Sequence, residues 1–135
     1  MFLDMTFTEN LKPEPFEEHE LDYMEALDVV DYEIASERLN MIVEEAKNVF
    51  VRSGVSSMLR SGDVSVGLYT AKGDLVTAAC GSYLYAVCGQ PQIKYINHKW
   101  KNHPNVGVNP GDIFYANDAV YGGVHHPDQF AFMPI

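Results

Sequence analysis

Apolar residues recur at steps of three and four positions between about Asp31 and Gly54, the spacing of one face of an α-helix. The charged residues of the same stretch fall mostly off that face, so we expect the apolar face to pack in the core. Gly54 marks the predicted end of the helix. The recurring apolar positions are Ala35, Leu39, Ile42, Ala46, Val49 and Phe50.

A different period follows, in which apolar and polar residues alternate from Val64 to Tyr69. This alternation predicts a half-buried β-strand. Lys72-Gly73-Asp74 supplies a turn, and residues 75–79 return as the second strand of a hairpin. We expect a loop from Gly81 to Pro91, because glycine and proline bracket that stretch.

The second half of the chain predicts one more helix and two short strands. Pro91 suits the first turn of a helix because proline lacks the N–H that this turn leaves unpaired. The helix should end at residues 102–105, and a Pro-Gly turn should then lead into a strand at 113–115. A last strand is predicted at 130–133. The residues on the inward face of the predicted helix are Ile93, Ile96 and Trp100.

These elements predict a mixed α+β fold, with two helices packed on an antiparallel, incompletely closed sheet. The chain stops inside its last predicted strand, and an open strand edge leaves backbone groups unpaired. We therefore expect further chain or a partner subunit to complete the sheet. Residues 31–135 form the predicted α+β domain, and residues 1–30 predict an acidic, extended arm. The candidate anchors of this arm are Phe2, Phe7, Leu11 and Phe16.

Composition restricts the class of protein. Hydrophobic residues make up 47% of the 135 residues and charged residues 21%, which is typical of globular sequence and not of a disordered chain. No apolar run reaches the length of a membrane-spanning helix. The N-terminus has no basic region of the kind that opens a secretory signal, so we expect a cytoplasmic protein. Cys80 and Cys88 match no zinc-binding spacing and are expected to be reduced thiols.

The charge is strongly negative and unevenly distributed. The formal net charge is -10, and most of the acidic residues lie between Asp4 and Glu45. Such a surface repels nucleic acid and anionic membranes, so neither is an expected partner. The acidic run is either a solvated face or a docking surface for a basic partner subunit.

The segment from Asn109 to Ile135 carries the candidate chemistry. His125 and Asp128 lie three residues apart in a glycine-rich loop between two predicted strands, and imidazole and carboxylate suit zinc, manganese or iron(II). The glycine pair Gly122-Gly123 allows the backbone of this loop to bend tightly. Asp118 is a candidate catalytic or supporting residue, either as a further ligand or as an acceptor that orients His125. The same string is also compatible with a surface turn closed by an Asp side chain.

Several familiar motifs are missing from the sequence. It has neither a Walker-type phosphate loop nor a dinucleotide-binding glycine motif after a strand, and it has no nucleophile elbow. If the reaction uses ATP, we therefore expect a partner subunit to bind the ATP and its magnesium.

The segment NPGDIFYANDAVYGGVHHPDQFAFMPI resembles a segment of the hydantoinase B/oxoprolinase family. In that family the order is PGD, a strand, ND, a loop, GG-x-H-x-PD, a second strand and a proline. The helix with Glu37-Arg38-Leu39 and the hairpin LYTAKGDLVTAA resemble the family's N-terminal part. Residues 92–114 are most similar to the alpha subunits of the ketone carboxylases, of the acetone and acetophenone types.

The resemblance implies a subunit or fragment of an ATP-dependent ketone carboxylase complex that forms a 3-oxo acid from a ketone and bicarbonate. It implies a hydantoinase A-like nucleotide-binding partner, other carboxylase subunits, and a manganese or zinc ion held by His125, Asp128 and a third, downstream ligand. This chain is far shorter than a family alpha subunit. The alternatives are a hydantoinase or oxoprolinase subunit, which would open an amide ring, and a non-catalytic assembly subunit.

Overall fold

The structure is a computed structural model that describes residues 12–135. Its helices are α1 (Glu18–Ala26), α2 (Val29–Ser53), α3 (Ser57–Arg60) and α4 (Tyr83–Trp100), and a 3-10 turn spans Ala119–Tyr121. Its strands are β1 (Ser65–Tyr69), β2 (Leu75–Cys80), β3 (Phe114–Ala116) and β4 (Phe130–Phe132). The mixed α+β class predicted from the sequence is confirmed.

The strands form two separate antiparallel hairpins, whereas the sequence pattern predicts a single sheet. β1 pairs with β2, and β3 pairs with β4. In the first hairpin Val66 lies opposite Ala79, and Gly73 adopts a left-handed φ of 98° in the turn. Neither sheet is closed within the described residues, in agreement with the open sheet that the sequence predicts.

Helix α2 begins and ends where its pattern predicts, but the face that it buries is not the predicted one. The Asp28 side chain accepts the N–H of Val30 at 2.8 Å, and the Gly54 N–H reaches Phe50 O at 3.1 Å. Val43 is the residue of this helix that is buried against the hairpin. The contact face lies about a quarter turn away from the predicted one. The expectation that the recurring apolar positions lie in the core is therefore wrong for most of them.

Helix α4 starts eight residues earlier than the sequence predicts, at Tyr83, and Pro91 lies inside it. The predicted loop at 81–91 is therefore wrong. Packing of the first half of α4 on the hairpin outweighs the break that proline favours. The Tyr69 hydroxyl donates to Ala86 O at 2.7 Å, and a Cβ at Gly89 would lie 2.3 Å from that hydroxyl. Only glycine at position 89 lets the helix approach so closely.

The acidic N-terminal region is partly helical. α1 occupies residues 18–26, where the sequence predicts extended chain, and it starts at a bond from the Glu17 N–H to the Glu20 carboxylate of 2.6 Å. The candidate anchor Phe16 is 64% exposed and does not anchor the segment. The other predicted anchors, Phe2, Phe7 and Leu11, lie outside the described residues.

Ion pairs hold this segment on the hairpin turn and on α4. Lys72 Nζ lies 2.9 Å from Glu17 Oε1, and Lys94 Nζ lies 2.7 Å from Asp74 Oδ1. The Glu14 N–H donates to Asp74 Oδ2 at 3.0 Å. We call this group the clasp: Lys72, Asp74 and Lys94 on one side, Glu14 and Glu17 on the other.

The buried core is small. Its apolar members among residues 12–135 are Val43, Val64, Ala79 and Ala86, at the junction of α2, α4 and the first hairpin. No helix in the described part of the chain is both long and apolar enough to cross a bilayer. The second hairpin and its loop lie beside this core, and they contain the candidate site.

Candidate metal site

The loop from Asn117 to Gln129 is closed at its base by the second hairpin. Phe114 pairs with Phe132 and Ala116 pairs with Phe130, so the two ends of the loop leave from adjacent strands. The stacked rings of Phe130 and Phe132 have centroids 6.1 Å apart. The loop residues are therefore presented together, as the sequence predicts for this segment.

Asp118 and the two glycines give the loop its shape. The Asp118 carboxylate accepts the N–H of Val120 at 2.9 Å, and its carbonyl accepts the N–H of Gly123 at 2.9 Å. Gly122 has a φ of 102°, and a Cβ there would lie 2.7 Å from Cys88 O of α4. The tight bend predicted for the glycine pair is present, and it brings the loop against α4.

His125 and Asp128 converge on each other. His125 Nδ1 lies 3.0 Å from Asp128 Oδ2, and the same oxygen accepts the backbone N–H of His125 at 2.7 Å. The Asp128 N–H returns to His125 O at 3.0 Å, which closes the turn. The His125 side chain is 67% exposed and that of Asp128 is 22% exposed, so the pair is accessible from solvent.

The separation of these two atoms suits shared coordination of an ion. Two donor atoms about 2.1 Å from one ion, at a right angle to each other, lie about 3.0 Å apart. By distance alone, the pair is therefore compatible with a shared divalent cation in octahedral coordination. The same distance is also that of an ordinary hydrogen bond between imidazole and carboxylate, so the geometry allows both the metal site and the surface turn considered from the sequence.

The other candidates of the loop are not brought to this pair. Residues 12–135 contain no group of three or more His, Cys, Asp or Glu side chains placed to hold a metal ion. Asp118 uses its carboxylate to cap the 3-10 turn, so the loop geometry gives it a structural part. His126 is exposed, and its carbonyl accepts a bond from Asn117.

A groove of about 750 Å³ adjoins the site, and sequence reasoning did not find it. Asp128 lines it together with Tyr85 and Asp63. Partial burial raises the pKa of the Tyr85 hydroxyl, and its hydrogen bond to Asp63 and the charge of Asp128 raise it further. No sequence signal predicts this meeting, because Asp63 and Asp128 are far apart in the chain. The apolar part of the lining includes Val66, Leu68, Ile93, Ile96, Phe114, Phe130 and Phe132.

The chain is similar in sequence to known proteins. Residues 28–135 match the family described as hydantoinase B/oxoprolinase. The chain is 44% identical over 125 residues to the acetophenone carboxylase delta subunit of Aromatoleum aromaticum, which covers 93% of this chain and 18% of that protein. It is 31% identical over 100 residues to the acetone carboxylase alpha subunit of Xanthobacter autotrophicus, which covers 73% of this chain and 13% of that protein. The chain thus spans less than a fifth of the length of either relative.

Proposed function

The chain belongs to the hydantoinase B/oxoprolinase family, and on this basis we propose that it is part of an ATP-dependent ketone carboxylase complex. The complex forms a 3-oxo acid from bicarbonate and a ketone of the acetone or acetophenone type. The two carboxylase subunits that resemble this chain support that choice within the family. The convergence of His125 and Asp128 is the observation on which the proposed site rests.

In this proposal His125 and Asp128 hold a manganese or zinc ion, and a ligand outside residues 12–135 completes its coordination. The ion, when bound, supplies a Lewis acid that stabilises negative charge on an enolate oxygen. The protein's own contribution is to hold the imidazole and the carboxylate close together, since hydrogen bonds that involve the backbone of residues 125 and 128 close the turn between them. Asp118 supports the site by shaping the loop.

The groove beside Asp128 is the proposed place for the ketone. Its lining is mainly apolar, which suits an uncharged substrate with a methyl or phenyl group. The Tyr85 hydroxyl lies in this groove and donates its proton to Asp63. In this proposal the ketone oxygen takes the place of Asp63 as the acceptor of that hydrogen bond. ATP and magnesium belong in this proposal to a hydantoinase A-like partner subunit, and the remaining carboxylase subunits complete the complex.

Metal analysis of the intact complex tests the site. We expect the purified complex to contain about one manganese or zinc ion per copy of this chain, and His125→Ala or Asp128→Ala to remove at least nine-tenths of it. His126→Ala is the matched control, because its side chain is adjacent and also exposed, and this variant should keep its metal. Full metal content in His125→Ala would contradict the assignment of the ligands.

Substrate assays separate the candidate activities. The complex should fix labelled bicarbonate into an acid-stable product with acetone or acetophenone, and this should depend on ATP. ATP-dependent opening of hydantoin or 5-oxoproline, without carboxylation, would favour the alternative within the family. A complex in which His125→Ala leaves turnover unchanged would favour the assembly role. That role is compatible with the absence, among residues 12–135, of a group of three or more side chains placed to hold a metal ion.

A further inference from the structure

The solvent-facing side of α2 carries a regular apolar seam. Its residues alternate in steps of three and four over more than two heptads, the a and d spacing of a coiled coil. Tyr32, Ile42 and Val49 are 58%, 55% and 57% exposed, whereas Leu39 is half-buried beside β2. Most of this seam is therefore left open by residues 12–135. The members of the seam are Tyr32 (a), Ala35 (d), Leu39 (a), Ile42 (d), Ala46 (a) and Val49 (d).

The two flanks of the seam differ. On one flank the e positions include Ser36 and Val43, which are more buried because this side of α2 packs on the first hairpin. On the other flank the g positions are all exposed and charged, and their sign alternates along the helix. Within the part of the chain that the structure describes, none of these four has an ion-pair partner. They are Asp31, Arg38, Glu45 and Arg52.

This asymmetry favours an antiparallel helix as the occupant. A parallel pair matches each g position with an e position, and here the e positions face the chain's own hairpin. In an antiparallel pair the g positions of the two helices face each other on one side of the seam. The exposed flanks of the two copies then pair with each other, and the e positions, each beside its own hairpin, lie together on the opposite side of the seam.

We propose that a second copy of this chain occupies the seam, with the two α2 helices antiparallel about a two-fold axis between Asn40 and Met41. The charge pattern is self-complementary in this arrangement: Asp31 faces Arg52 of the second copy, and Arg38 faces Glu45 of the second copy. Each pair occurs twice by symmetry. The core layers pair Tyr32 with Val49, Ala35 with Ala46, and Leu39 with Ile42, each across the two copies.

The size pattern of these layers supports the same arrangement. The alanine layers sit between layers of larger residues, and alanine facing alanine lets the helices approach at the short end of the usual interaxial range, about 8 Å. From residue 32 to residue 49 the seam is about 27 Å long at 1.5 Å per residue. It is therefore long enough for several core layers flanked by four ion pairs.

Sedimentation equilibrium of the purified full chain tests the proposal, with circular dichroism as the check of folding. We expect a monomer–dimer equilibrium for the unchanged chain, weakened in 1 M salt because exposed ion pairs are screened. Arg38→Glu and Glu45→Arg should each raise the dimer dissociation constant roughly tenfold, since each change places like charges together twice. The double variant should restore dimerisation, because the exchanged charges again pair.

Two matched controls keep the test specific. Glu37→Arg makes the same charge change one position away from the flank and should leave the dissociation constant within about twofold. Ile42→Asp should abolish dimerisation, whereas Met41→Asp should not, because Met41 is similarly exposed but lies off the seam. A chain that stays monomeric at about 0.5 mM, or a double charge exchange that does not rescue Arg38→Glu, would overturn the proposal. Metal content and carboxylation are measured separately, so this outcome leaves the proposed function untouched.

Discussion

At the scale of single residues, Tyr69 links the first hairpin to α4. Its hydroxyl donates to the carbonyl of Ala86, next to the glycine that lets the helix approach. Burial, and to a smaller extent the nearby thiols of Cys80 and Cys88, raise the pKa of this phenol to about 12. Since the neutral phenol is the buried form, the folded chain keeps this proton more tightly than the unfolded chain does.

Tyr69→Phe should lower the free energy of unfolding by about 0.5–1.5 kcal/mol, because the hydrogen bond from the phenol to Ala86 O is lost. Urea unfolding measures this change. Tyr83→Phe, on the same helix but exposed, is the control and should have no effect.

The raised pKa also gives a pH dependence. The unfolded phenol, with its pKa near 10, ionises before the folded one, so stability should fall as pH rises from about 10 to 12. This fall should be smaller in Tyr69→Phe. Equal alkaline loss in both chains would contradict the assignment.

At the scale of elements, the clasp fixes the N-terminal segment on the hairpin turn. The ion pair with Lys72 lowers the pKa of Glu17. Burial raises the pKa of Asp74, but the hydrogen bonds from Lys94 and the Glu14 N–H outweigh it, and the net shift is downward. Both carboxylates are therefore stabilised in the ionised form, and the segment is held by charge more than by apolar contact.

Lys94 also contacts the N-terminal segment directly: its Nζ donates to Lys12 O at 2.6 Å and lies 3.8 Å from Glu14 Oε1. Lys94→Met should therefore loosen this segment while keeping most of the buried stem in place. We expect amide exchange in residues 18–26 to become about tenfold faster, measured by mass spectrometry of the exchanged chain. Lys99→Met, exposed on the same helix, is the control. Unchanged exchange in Lys94→Met would show that α1 is held by other contacts.

Acid should have the same effect as Lys94→Met. Both carboxylates have pKa values below their ordinary values of 4.5 and 3.8, so the stabilisation they provide is present above those values and is lost as pH falls below them. Exchange in residues 18–26, corrected for the intrinsic rate, should therefore rise below about pH 4. The rise should be absent in Lys94→Met if the clasp is already open.

At the scale of the whole molecule, the chain has much exposed apolar surface for a small core. Few side chains in residues 12–135 are fully buried, and Val43 is the largest of them. Two-stranded sheets are marginal on their own, and both sheets of this chain have only two strands. The family relationship and the short coverage of its relatives are consistent with a fold whose remaining surface is covered by other polypeptide.

The isolated chain should therefore unfold with a free energy at or below the lower end of the usual range, about 5 kcal/mol. It should also bind a hydrophobic dye in its folded state. Both measurements should shift when the chain is assembled into the proposed carboxylase complex: the dye signal should fall and the unfolding midpoint should rise. An isolated chain that excludes the dye and unfolds at more than about 10 kcal/mol would contradict this view of its surface.

The sequence by itself determined several local elements and the family. Helix α2 and the first hairpin follow from period and turn chemistry, which depend on neighbouring residues alone. The hydrogen bonds between residues 125 and 128 also join near neighbours in the chain. The family motif around them was therefore sufficient to single out that pair.

Tertiary structure decided what local pattern leaves open. Which side of α2 is buried depends on the hairpin it packs against, since an apolar stripe suits the core and a partner equally well. Pro91 lies within α4 because packing near Gly89 and Tyr69 outweighs a local break. The groove that joins Asp63, Tyr85 and Asp128 exists only when distant segments meet, because no short-range signal encodes contacts between residues far apart in the chain.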